Sequence, residues 1–96
     1  MKIALVVHGF VQGVGYRYFV KRAADALGVR GLVKNQDDGS VLIIAESDPD
    51  TLEKLEANVN VSTEHGIQVL RIEKFVEGDD LFPKTEYDGA KFMIKK

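Results

Sequence analysis

The sequence predicts an α+β fold: two helices on one face of an antiparallel sheet, in the order β-α-β-β-α-β with a short extra C-terminal strand. Three observations predict it. Two segments carry apolar residues at helical spacing, one over 16–27 and one opening at Pro49, and each stands between extended segments. A turn of hairpin length, Gln36-Asp37-Asp38-Gly39, separates the second and third extended segments. A chain of 96 residues, with 45% hydrophobic and 29% charged residues, suits one domain spanning 1–96 around one apolar core.

Taken in order, residues 2–8 read as a strand. Ile3, Leu5 and Val7 point to one side and Ala4, Val6 and His8 to the other. Tyr16 to Leu27 reads as a helix, with Tyr16, Phe19, Val20, Ala23, Ala24 and Leu27 on one stripe and Lys21, Arg22 and Asp25 opposite. Gly28 ends it, because glycine enters the left-handed C-terminal conformation at little cost. Residues 29–35 and 41–46 are the hairpin strands. Asp48 suits the N-cap of the second helix, Pro49 its first position, and Asp50 and Glu53 the positive end of its dipole. Leu52, Leu55 and Val59 form its buried stripe. Residues 67–76 read as a fourth strand, 77–89 as a polar loop and 90–95 as a short closing strand. Helices linking strands, with a hairpin joining the middle pair, make the ferredoxin-like arrangement. That fold hosts many functions, so function has to come from the site.

Composition narrows the field. The chain has no cysteine, which excludes disulfides, thiolate nucleophiles and cysteine-ligated metals. A net charge of −2 argues against binding nucleic acid by bulk electrostatics. The two expected central strands, "KIALVVH" and "VLIIAE", also lack the exposed aromatics that an RNA-recognition sheet needs. No apolar run reaches membrane-spanning length, and "MKIALVV" is too short for a secretory core. A cytoplasmic location is the expectation, with no membrane and no nucleic acid among the partners.

Chemistry concentrates in "VHGFVQGVGYRYF", residues 7–19. Gly9, Gly13 and Gly15 permit a curled backbone whose amides converge, and a helix N-terminus follows at once. Arg17 stands in the first turn, where a cation opposes the helix dipole and a bound anion would offset the conflict. The mononucleotide P-loop is excluded because Tyr16-Arg17 replace its Lys-Ser/Thr pair, and the dinucleotide fingerprint because Tyr18 replaces its last glycine. By spacing alone two readings stand: an anion cradle, or a glycine-rich connection beside a solvated arginine. Asn35, where the second strand meets its turn, is by the same standard a turn former or a site residue.

"VHGFVQGVGYR" followed by "GLVKNQDDGSV" resembles the acylphosphatase family, small enzymes that hydrolyse the carboxyl–phosphate mixed anhydride. Val7, Gly9, Val11, Gln12, Gly13, Val14, Tyr16 and Arg17 match the first family motif, and Gly31, Lys34, Asn35, Gly39 and Val41 the second. Leu32 stands where the family usually has an aromatic, and Ser47 where it usually has glycine. The resemblance implies that Arg17 holds the substrate phosphate together with backbone N–H groups of Gln12, Gly13, Val14, Gly15 and Tyr16. It implies that Asn35 orients the attacking water. It also implies a small-molecule acyl phosphate as substrate, inorganic phosphate or sulfate as a product-like ligand, and neither metal nor cofactor. A noncatalytic phosphate- or acyl-phosphate-binding domain on the same fold is the alternative.

The remaining polar residues have simpler roles. His8 and His65 are too few and too separated to suggest a metal site. Asp37-Asp38 suit a hairpin turn and Asp79-Asp80 a solvated loop. Tyr16, Tyr18 and Phe19 are a core stripe before they are a stacking platform. Lys34 either adds positive potential near the site or covers the sheet edge.

Overall fold

The computed structural model describes every residue except His65, Glu86, Asp88, Ala90 and Lys96. The elements are β1 (Lys2–Phe10), α1 (Tyr16–Leu27), β2 (Arg30–Asn35), β3 (Val41–Glu46), α2 (Pro49–Val59), β4 (Gln68–Val76) and β5 (Met93–Lys95). One five-stranded sheet carries them in the order β4-β1-β3-β2-β5. β1 lies antiparallel to β3 and β4, and β2 antiparallel to β3. β5 runs parallel to β2, so the sheet is mixed and the expected antiparallel sheet is corrected. The cause is the return path. β2 and β5 both run against β4, so a chain that crosses the sheet after β4 and turns back enters beside β2 in β2's own direction.

Alternation along β1 sorts two cores. Ile3, Leu5 and Val7 face the helices and are buried with Val20, Ala24, Leu52, Leu55 and Val59. Ala4, Leu32, Leu42 and Ile44 face the other way and are equally buried. Their cover is the segment after β4, which lays Phe82 and Tyr87 against them beside Val6 and Phe75. The stretch that reads as a polar loop is thus a second covering layer. The Lys2 ammonium lies 5.9 Å from the Phe82 ring centre and 5.6 Å from that of Tyr87, and 2.9 Å from the Glu77 carboxylate.

Both helices end as local chemistry dictates. Asp48 accepts from the Thr51 amide at 3.0 Å and from its hydroxyl at 2.7 Å, and Pro49 opens α2. Gly28, at φ 69°, turns the chain out of α1 and donates to the carbonyls of Ala24 and Asp25. The start of α1 has no such cap, and that positions the site. Among the described residues no helix is long and apolar enough to cross a membrane.

Candidate active site

The loop between β1 and α1 is a run of constrained backbone. Gly13 and Gly15 take φ of 75° and 80°, and a Cβ on either would meet nothing within 4 Å. Glycine is needed there for conformation, not for room. Gly9 has a different task. It lies within β1, which extends two residues beyond the expected strand, at an irregularity in the pairing with β4. A Cβ on Gly9 would strike the Gln68 carbonyl oxygen, so Gly9 lets β4 approach and is not part of the cradle.

α1 begins with Gly15 as its cap residue, no side-chain hydrogen bond to the first turn and no acidic residue there. Its first intrahelical bond runs from the Phe19 amide to the Gly15 carbonyl, 3.1 Å. The amides before it have no intrahelical acceptor and carry the positive end of the dipole. Arg17 is half-buried in that turn, and none of the ion pairs among the described residues uses it. The Tyr16 side chain belongs to the core: its ring is buried, stacks 6.3 Å from Phe19, and its hydroxyl donates to the Val59 carbonyl at 2.7 Å. Burial pushes that phenol well above its ordinary range, so it is neutral and structural.

The loop is joined to the β2–β3 hairpin by a contact that the spacing of residues does not reveal. Gln12 Nε2 donates to the Gln36 carbonyl at 2.7 Å and to the Ser40 carbonyl at 2.9 Å. Within the hairpin, the Gln36 amide donates to the Ser40 carbonyl at 2.8 Å and Gln36 Nε2 to the Ser40 hydroxyl at 2.9 Å. The buried Ser40 donates its hydroxyl to Asp38 Oδ1 at 2.5 Å and its amide to the same oxygen at 2.9 Å. Those two bonds hold the Asp38 carboxyl below its usual range, with the nearby His8 adding a smaller effect. Asp37 and Asp38 therefore occupy the turn.

Asn35, the last residue of β2, is half-buried, and its Oδ1 is fully buried with no hydrogen-bond partner among the described residues. A buried acceptor left unpaired costs about 1–3 kcal/mol, which sets this oxygen apart from the other buried polar side-chain atoms described. Its neighbour in sequence, Gln36, is one of the two residues gripped by Gln12. The structure thus ties the glycine loop to the hairpin that carries Asn35, while the side chain of Tyr16 leads away into the core. Val14 packs half-buried against the core. His8 faces away from the helices, its Nε2 2.7 Å from Glu73 Oε1. His65 lies outside the described residues. No group of three His, Asp or Glu that could hold a metal occurs among the described residues. Sequence reasoning missed the Gln12 bridge, the buried Ser40 and the orphaned oxygen of Asn35. All three depend on contacts across 24 or more residues or on burial, and neither leaves a periodic trace.

Known proteins resemble this chain in sequence and in fold. The family model described as Acylphosphatase matches residues 3–89. The acylphosphatase of Thermotoga petrophila is 58% identical over 48 residues, which is 50% of this chain and 53% of that protein, so the chain spans about half the length of that relative. The acylphosphatase of Enterococcus faecalis is 40% identical over 85 residues, covering 88% of this chain and 91% of that protein. The crystal structure of acylphosphatase from Bacillus subtilis superposes with a TM-score of 0.81 at 31% identity, covering 99% of this chain and 98% of that one. With a family model over residues 3–89 and a relative 40% identical over most of both chains, the chain belongs to the acylphosphatase family.

Proposed function

We propose that the protein hydrolyses acyl phosphates by in-line attack of water on phosphorus, with Arg17 and the amides of residues 12–16 holding the phosphoryl group and Asn35 aiming the water. The observation that carries this reading is the Gln12 bridge, which ties the glycine loop leading into Arg17 to the hairpin whose first strand ends at Asn35. In this reading the Asn35 amide oxygen accepts from the water's O–H as substrate binds and leaves the water's lone pair free to attack. Arg17 answers the complementary need. Its guanidinium fork spans two phosphoryl oxygens, and the uncapped turn of α1 supplies amides to others.

The substrate explains why so little machinery suffices. Its leaving group is a carboxylate whose conjugate acid has a pKa of about 4, so it departs without a general acid. The new P–O bond forms as the P–O bond to the acyl group breaks, and the water's proton passes to a phosphoryl oxygen. An acyl phosphate dianion and water thereby give a carboxylate and dihydrogen phosphate, with charge balanced. Asn35 is a neutral amide and takes no proton, so its part is orientation. Preorganised charge around the phosphoryl group supplies the rest.

Variants separate the two roles. Arg17→Ala should lower kcat/KM on the order of 100-fold or more and weaken inhibition by phosphate, since charge-assisted hydrogen bonds of about 1.5–3 kcal/mol each are lost. Arg17→Lys should restore little, because a point charge does not reproduce the fork. Asn35→Ala should cut kcat on the order of 100-fold while KM and phosphate inhibition stay within about threefold. Asn35→Ala weakening phosphate binding as much as it slows turnover would overturn the water-orienting role.

A further inference from the structure

Gln12 spends its side-chain amide on the β2–β3 hairpin. Both hydrogens of its side-chain amide go to hairpin carbonyls, those of Gln36 at 2.7 Å and Ser40 at 2.9 Å, across 24 and 28 residues of chain. What remains for a ligand is the backbone amide. The two carbonyls are not arbitrary. Gln36 and Ser40 are the closing pair of the hairpin, bonded to each other through the Gln36 amide and again through the Gln36 side chain and Ser40 hydroxyl. One glutamine therefore grips both strands of the hairpin one residue beyond Asn35. The grip is anchored at its root, because Val11 before it is buried and Gly13 after it is held at φ 75°.

We propose that Gln12 is a positioning residue: its side chain makes no substrate contact but clamps the β2–β3 hairpin to the glycine loop, and so sets where Asn35 stands relative to the phosphate cradle. The inference rests on the water-orienting role of Asn35. In-line attack is sensitive to placement, and a misplacement of about 1 Å is enough to cost on the order of 100-fold in rate. A hairpin tip free to move relative to the loop would lose water alignment while leaving Arg17 and the loop amides able to bind phosphate.

The test is a double-mutant cycle with Gln12→Met, which keeps the volume and removes both donors, and Asn35→Ala. Gln12→Met should lower kcat at least about tenfold on benzoyl phosphate, with inhibition by inorganic phosphate changed by less than about threefold. In the Asn35→Ala background the same substitution should change kcat by less than about twofold, because the group it positions is gone. Equal effects of Gln12→Met with and without Asn35 would overturn the positioning role and leave that of Asn35 intact. A normal kcat for Asn35→Ala alone would instead sink the reading on which the inference rests. A second measurement needs no variant: the side-chain amide protons of Gln12 in the wild-type protein should exchange with solvent much more slowly than those of an exposed glutamine. Exchange at the exposed rate would also overturn the clamp.

Discussion

Asn35 and Gln12 show what a single residue type conveys and what it does not. Asparagine at a strand end is legible as a turn former or a site residue, and the sequence alone does not separate the two. A glutamine next to a glycine carries no signal that its amide will bridge to residues far along the chain. Three carboxyls are similarly defined by partners that the sequence hides. Ser40 holds the Asp38 carboxyl below its usual range, Thr51 does so for Asp48, and His8, with Arg71 behind it, for Glu73. Each folded value lies below its unfolded one, so each group stabilises the fold above the unfolded carboxylate range near about pH 4, and that contribution is lost as pH falls through the lowered folded value. Urea unfolding should therefore show stability falling below about pH 4, with a shallower decline in Asp38→Asn and Asp48→Asn. Stability that stays level through the acid range in the wild-type protein would contradict this origin.

Helix limits were legible because their signals are local: Asp48 before Pro49, Gly28 after Leu27, and apolar spacing between them. The strand facing of β1 was legible for the same reason. The parallel entry of β5 and the layer of Phe82 and Tyr87 over the second sheet face were not, because both follow from a chain crossing that no short window contains. Gly31 belongs with the hidden features. It reads as one more strand residue, yet in β2 it lies where a Cβ would strike the Ile44 carbonyl oxygen of β3. Gly31→Ala should destabilise by more than ~3 kcal/mol, since both a strained backbone and a displaced neighbouring strand follow. Gly39→Ala, where a Cβ meets nothing within 4 Å, should cost only the positive φ, about 1–2 kcal/mol. Similar losses from the two substitutions, read from urea midpoints, would contradict the close-approach argument.

Across the whole molecule, two covering layers hold one sheet between them. The helices and the post-β4 segment bury both faces of the sheet, and that frame fixes the ends of β1 and β2 from which the glycine loop and the hairpin project. Under the proposed mechanism the site needs no acid, base or metal, because an acyl phosphate brings its own leaving group and its own proton acceptor. The most direct test of this account is hydrolysis of benzoyl phosphate by the purified protein in heavy-oxygen water with a chelator present. The account predicts turnover undiminished by the chelator, with the label in inorganic phosphate and none in benzoate. Label in benzoate, or phosphate binding without turnover, would contradict it.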